Sequence, residues 1–184
     1  RAFLDKLPTR PQIEYRLGQL LNDPSTNYYA LTTRRGHLFL LKFQPPAQQP
    51  VLITLNSVTN LASEQVILDL NQLDAKGGTT IDWFVPSPDG KLVAVSLSEN
   101  GSESGTLYLY DTATGQRGTE VIPRVHGPTA GGSAAWNADG TGIFYTRYPR
   151  AGERPEADLG FYQHVYFHKL GTPTEHDTYE LGKQ

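Results

Sequence analysis

The chain has 184 residues, a formal net charge of -3, 38% hydrophobic and 19% charged residues, which is too apolar and too weakly charged for a disordered tail. Scattered Lys and Arg provide no positive field for nucleic acid, no apolar run reaches the roughly eighteen residues of a membrane span, and zero Cys rules out disulfides, thiolate metal sites and a Cys nucleophile. Gly 18 and Pro 13, with 10% aromatics, favour short strands and tight turns over a helical bundle.

The opening Arg1-Ala2-Phe3-Leu4-Asp5-Lys6 lacks the apolar stretch of a leader, and the missing Met at position 1 implies a chain processed or excised from something longer. A cytoplasmic location is the expectation. Residues 9–22 predict one helix: Thr9 and Gln12 have capping-box spacing, Pro11 sits in the first turn, and Ile13, Leu17, Leu20 and Leu21 share a face. That apolar face calls for a partner. Asn22-Asp23-Pro24 should stop the helix, and everything after it reads as strand.

A first unit contains strands at Tyr28–Arg34, His37–Phe43, Val51–Leu55 and Gln65–Leu70. The second opens with the clearest hairpin, in which Ser87-Pro88-Asp89-Gly90 separates Ile81–Val85 from Leu92–Val95. Pro presets the first central dihedral, Asp suits the second, and Gly takes the left-handed position. About fifty residues on, Trp136-Asn137-Ala138-Asp139-Gly140 separates Ser133–Ala135 from Ile143–Thr146 in the same way. Third strands follow at Thr106–Asp111 and His164–Leu170, and weaker fourth strands at Thr119–Ile122 and Thr178–Leu181. Four short antiparallel strands per repeat of this length are the dimensions of a propeller blade. Apolar residues on both alternating faces fit sheets sandwiched between neighbours, and Gly131-Gly132-Ser133-Ala134-Ala135 suits a crowded innermost strand. A generic β-sandwich is the competing architecture. Three blades would form an open arc, with the rest of the ring expected beyond Gln184.

Catalytic signals are sparse. Gly131-Gly132-Ser133-Ala134-Ala135 lacks the last Gly of a nucleophile elbow and leads into a strand, and Gly101-Ser102-Glu103-Ser104-Gly105 has Glu at the nucleophile position. His164 and His168 would lie about 13 Å apart on one strand face, too far for a shared ion, and read as partly exposed strand residues. No metal site or cofactor is expected. Asn100-Gly101-Ser102 is a formal glycosylation sequon. Asp89 and Asp139 have turn-forming roles, and Glu99, Glu103 and Glu120 read as solvated; no carboxylate pair of glycosidase type stands out. Two stretches suit a binding role: the small-residue segment 125–132, containing His126, Gly127, Pro128 and Thr129, and the long charged loop 147–162, containing Arg147, Arg154 and Tyr162.

Leu70-Asn71 through Gly78, Ile81-Asp82-Trp83, Pro86-Ser87-Pro88-Asp89-Gly90, Leu97-Ser98-Glu99-Asn100-Gly101, Ile122-Pro123-Arg124-Val125, Ala135-Trp136 with Asp139-Gly140, Phe144–Pro149 and Val165–Pro173 occur in one order. Together they resemble the first blades of the prolyl oligopeptidase family. The resemblance implies an all-β partial propeller, about three four-stranded blades of a seven-bladed ring, at about 24–80, 81–129 and 130–184, after a helical linker at 1–23. It also implies an α/β-hydrolase domain of the same parent chain carrying Ser, Asp and His, with this segment admitting short peptide substrates and excluding folded proteins. His126 and Gly127 match the segment where relatives carry a cavity-lining aromatic, and 147–162 matches a mobile loop near the domain interface. The alternative is a non-catalytic propeller scaffold that binds a protein or ligand.

Overall fold

The computed structural model describes residues 3–21 and 24–182. After a 3₁₀ turn at Leu4–Lys6, helix α1 spans Arg10–Leu21. Ile13 N–H donates to the Thr9 carbonyl at 3.1 Å, which opens the helical ladder where the sequence places its start. Asn22 and Asp23, expected to stop the helix, lie outside the described residues. Ile13, Leu17, Leu20 and Leu21 are all exposed, so the apolar face has no partner among the described residues.

The remaining chain forms three four-stranded antiparallel sheets, each ordered as the chain runs. The first contains β1 (Asn27–Arg34), β2 (His37–Phe43), β3 (Val51–Leu55) and β4 (Gln65–Asp69). The second contains β5 (Thr79–Pro86), β6 (Leu92–Glu99), β7 (Gly105–Asp111) and β8 (Arg117–His126). The third contains β9 (Ala134–Trp136), β10 (Gly142–Arg147), β11 (His164–Lys169) and β12 (Thr178–Leu181). Not everything past the helix is strand: Leu70 leaves β4 and begins a one-turn helix α2 (Leu70–Leu73), because the Asp69 side chain accepts from the Asn71 N–H at 2.9 Å. Trp136, expected in a turn, closes β9 instead and pairs with Ile143.

The hairpin turns follow from residue chemistry. Gly90 (φ +74°) and Gly140 (φ +73°) occupy the left-handed position. Asp89 accepts from Ser87 Oγ at 2.7 Å and the Lys91 N–H at 3.1 Å, and Asp139 accepts from Thr141 Oγ1 at 2.6 Å and its N–H at 3.1 Å. The β1–β2 connection differs: Arg35 and Gly36 both have positive φ, the two-residue turn whose twist matches that of its flanking strands.

Alternation sends the buried side chains to opposite faces of each sheet. Phe39, Leu41 and Leu52 of the first sheet pack with Val93, Val95 and Tyr110 of the second. The second sheet's other face gives Ala94, Leu107, Leu109 and Ile122, which pack with Ile143 and Tyr145 of the third. This is a stack of successive sheets with two cores, and a single closed sandwich is excluded. The first sheet departs from the expectation of an open outer face, because Leu40, Ile53 and Leu55 are buried, with Leu38 and Val51 packed on them. The third sheet's outer face carries Phe144, 37% exposed, against Phe167 at 4.8 Å between ring centroids.

Candidate functional site

Antiparallel order puts the β8–β9 connection and the β10–β11 loop at the same end of the third sheet, opposite the Asn137–Gly140 turn. The two segments singled out from sequence therefore meet, and Tyr148 joins them. Its ring covers Gly127, where a Cβ would lie only 2.6 Å from Tyr148 Cε2, so a larger residue would displace the ring. The Tyr148 hydroxyl accepts from the Ala130 N–H at 3.0 Å and from Thr129 Oγ1 at 3.2 Å. Tyr148 is buried, and its N–H donates to the Arg124 carbonyl at 3.0 Å.

Segment 126–132 is a closed loop. Gly127 and Gly131 exchange backbone bonds, N–H to carbonyl, at 3.1 and 2.9 Å, and Gly131 takes φ +66° to do so. A Cβ on Gly132 would lie 1.8 Å from the Val125 carbonyl oxygen, so the crossing of these backbones requires glycine. Pro128 and Thr129 are exposed at its tip, while His126 is half-buried with Nδ1 unpartnered among the described residues. The long loop is tied to this unit by contacts from Arg124 to the Leu159 carbonyl and Thr129 to the Gly160 carbonyl, and by Gln163 Nε2 donating to the Gly131 carbonyl at 3.0 Å.

Three of the predicted site residues lie on the other side of the long loop. Arg147, at the end of β10, is only 5% exposed. Its guanidinium donates to both oxygens of Glu153 at 2.8 and 3.2 Å and lies 4.3 Å from the centre of the Tyr166 ring. Burial disfavours the charged guanidinium, but the Glu153 bonds outweigh it and hold its pKa above the ordinary value; Glu153 is in turn held below its own by Arg147. Arg147 is thus already paired and braces the loop. Arg154 stacks over the Tyr162 ring at 3.8 Å, and both residues are exposed. Arg147, Arg154, His164 and Tyr166 border an open cleft of about 520 Å³.

Sequence reasoning overlooked a polar joint between the second and third sheets. His168 is fully buried, where a partly exposed strand histidine was expected. Its Nδ1 lies 2.6 Å from Asp177 Oδ1 and its Nε2 3.1 Å from Glu120 Oε2. Glu120, expected to be solvated, also accepts from the Gly171 N–H at 2.6 Å. His164 sits among Tyr166 and Tyr179, apart from this joint. The only signal for the joint in the sequence was the alternation that puts both histidines on one face.

Three stacked four-stranded sheets and two interlocked loops at one end set the frame for comparison with known proteins. The family model of the prolyl oligopeptidase N-terminal beta-propeller domain matches residues 1–181. The chain belongs to that family. It is similar to the prolyl endopeptidase of Elizabethkingia meningoseptica, 27% identical over 181 residues, which cover 98% of this chain and 24% of that protein. Prolyl oligopeptidase A of Galerina marginata is 27% identical over 202 residues, covering 97% of this chain and 27% of the relative. Dipeptidyl aminopeptidase BI of Pseudoxanthomonas mexicana is 29% identical over 123 residues, covering 66% of this chain and 15% of its own length.

Among solved structures, one from a study of two prolyl endopeptidases and their inter-domain dynamics superposes with a TM-score of 0.78 at 23% identity, over 97% of this chain and 25% of that one. Prolyl oligopeptidase B from Galerina marginata, bound to a 35mer hydrolysis and macrocyclization substrate, gives 0.74 at 20% identity, over 99% of this chain and 27% of that one. These likenesses show the fold: the three sheets are propeller blades. The chain spans about a quarter of the length of the first two relatives.

Proposed function

We propose that this chain is the substrate-gating part of a prolyl oligopeptidase-like serine peptidase acting on short peptides, with the hydrolytic Ser, Asp and His on an α/β-hydrolase domain outside the segment. The observation that carries this reading is the family match across residues 1–181, set against relatives about four times as long. The sequence supports the division of labour, since no Gly-x-Ser-x-Gly elbow occurs in it.

On this reading the β8–β9 loop and the long β10–β11 loop border the route to the active site. The Gly127–Gly131 loop is held by its own backbone bonds and by Tyr148, which makes it a fixed rim. Loop 148–162 is long, charged and mostly exposed, tethered at Leu159, Gly160 and Arg147, and so suits the movable element of a filter. Rejecting folded proteins while passing short peptides then follows from the narrowness of the route that these two joined loops border.

The test is hydrolysis of a proline-containing chromogenic peptide. The isolated chain should show none, and the full-length protein should show turnover abolished by a Ser-directed phosphonate. Phosphonate-insensitive turnover by the isolated chain would overturn the assignment.

A further inference from the structure

We propose that the cleft beside Arg154, at the loop end of the third sheet, holds a carboxylate of a bound peptide, supplied by an acidic side chain or by the peptide's C-terminus. The proposal rests on the peptide-handling reading above and adds a charge preference to it.

Three features of the cleft point to this ligand. The first is an uncommitted cation: Glu153 is taken up by Arg147 at 2.8 and 3.2 Å, whereas no carboxylate pairs with Arg154 among the described residues. The cleft therefore keeps one net positive charge in a chain whose total is -3. The second is preorganisation. Arg154 Cζ lies over the Tyr162 ring, 3.8 Å from its centre, and Tyr162 takes φ +57°, a left-handed backbone that residues with a side chain rarely adopt. Stacking restrains the guanidinium while leaving its N–H edge free for a two-pronged bond to a carboxylate. The third is shape: about 520 Å³ with Pro149, Pro155 and Tyr166 in the walls accommodates the apolar stem of an acidic residue or the last residues of a peptide.

A second hollow on the molecule provides a contrast. Near the second sheet, Arg117 stacks over Tyr108 at 5.0 Å beside a hollow of about 670 Å³, but Asp74 and Glu99 in its lining balance Arg117 and Lys76, so that hollow carries no net positive charge to draw a carboxylate. Stacked arginine alone is thus insufficient, and of these two hollows the Arg154 cleft is the one that combines it with a net positive lining.

The test measures binding of three acetylated tetrapeptides of equal length to the full-length protein by calorimetry: one ending in Glu amide, one in Gln amide, and one with a neutral side chain and a free C-terminus. At least one carboxylate peptide should bind about fivefold more tightly than the Gln amide at low salt, with the ratio shrinking as salt rises. Preference for the Glu amide or for the free C-terminus identifies the source. R154Q should bring the ratio close to one, R154K should leave an intermediate value because it keeps the charge and loses the fork, and R117Q should leave the ratio unchanged. A ratio near one in the unaltered protein, or one that survives R154Q, would overturn the proposal. Because all three probes have the same length, failure of the size filter would leave this ratio intact, so the two readings fail separately.

Discussion

On β11, His168 shares a face with Tyr166 and His164, and no local pattern separates it from a half-exposed imidazole. Its burial depends on Glu120, forty-eight residues earlier on β8, and on Asp177 just before β12. Burial alone would lower its pKa, but the hydrogen bonds and charges of Asp177 and Glu120 outweigh it and hold the imidazole above its usual range. The Tyr145 hydroxyl donates to the other oxygen of Asp177 at 2.6 Å, and burial followed by that carboxylate pushes its own pKa up. A histidine raised on folding contributes stability that is fully present below its ordinary value, about 6.5, and that fades as pH rises through the higher folded value. The unfolding midpoint should therefore fall as pH is taken from 6 towards 9, and H168Q should flatten that slope; an equal slope in both proteins would remove the joint from the account.

Glycine supplies the other residue-scale prediction. At Gly132 the obstruction is the Val125 backbone carbonyl, which cannot rotate away, whereas at Gly127 it is the Tyr148 ring, which can tilt. Urea unfolding should show G132A losing about 3 kcal/mol or more and G127A about 1–2 kcal/mol.

At the scale of elements, period-two alternation and turn chemistry made the strands legible: β2, β3 and β12 run over the residues expected, and Asp89 and Asp139 hold equivalent turns. Alternation is a local property, set by which face of a pleat each side chain meets, so it survives in the sequence. The boundaries that moved did so for non-local or capping reasons. Leu70 was claimed by the Asp69 cap, and Trp136 is drawn into β9, where its Nε1–H donates to the Val85 carbonyl of the second sheet at 2.9 Å. The long loop is the element with a functional prediction. Removing residues 151–158 should alter kcat/KM for long peptides more than for dipeptide-sized substrates in the full-length protein, and equal effects on both would take the loop out of the gate.

For the whole molecule, stability depends on the faces between sheets. Leu107 is fully buried between the second and third sheets, beside Ile122 and Ile143. L107A should cost about 2–5 kcal/mol and speed hydrogen exchange of β10 amides more than those of β2, since β2 packs in the other core; uniform acceleration would mean the stack unfolds as one unit. The candidate site was legible only in outline. Composition and loop length drew attention to His126–Thr129 and to Arg147, Arg154 and Tyr162, but Tyr148, the side chain that fastens one loop to the other, lay within the long loop without being singled out.

The sequence by itself determined the helix, the twelve strands, the turns between them and the family, because periodicity, turn residues and ordered motifs are written along the chain. Only the tertiary structure decided that Arg147 is paired with a carboxylate while Arg154 has none among the described residues, that a buried histidine bridges two sheets, and that one tyrosine joins two loops. The histidine joint and the tyrosine link depend on distances between residues far apart in the chain, which exist only once the strands have paired and the sheets have stacked, and the Arg147–Glu153 pair depends on the path that one long loop takes.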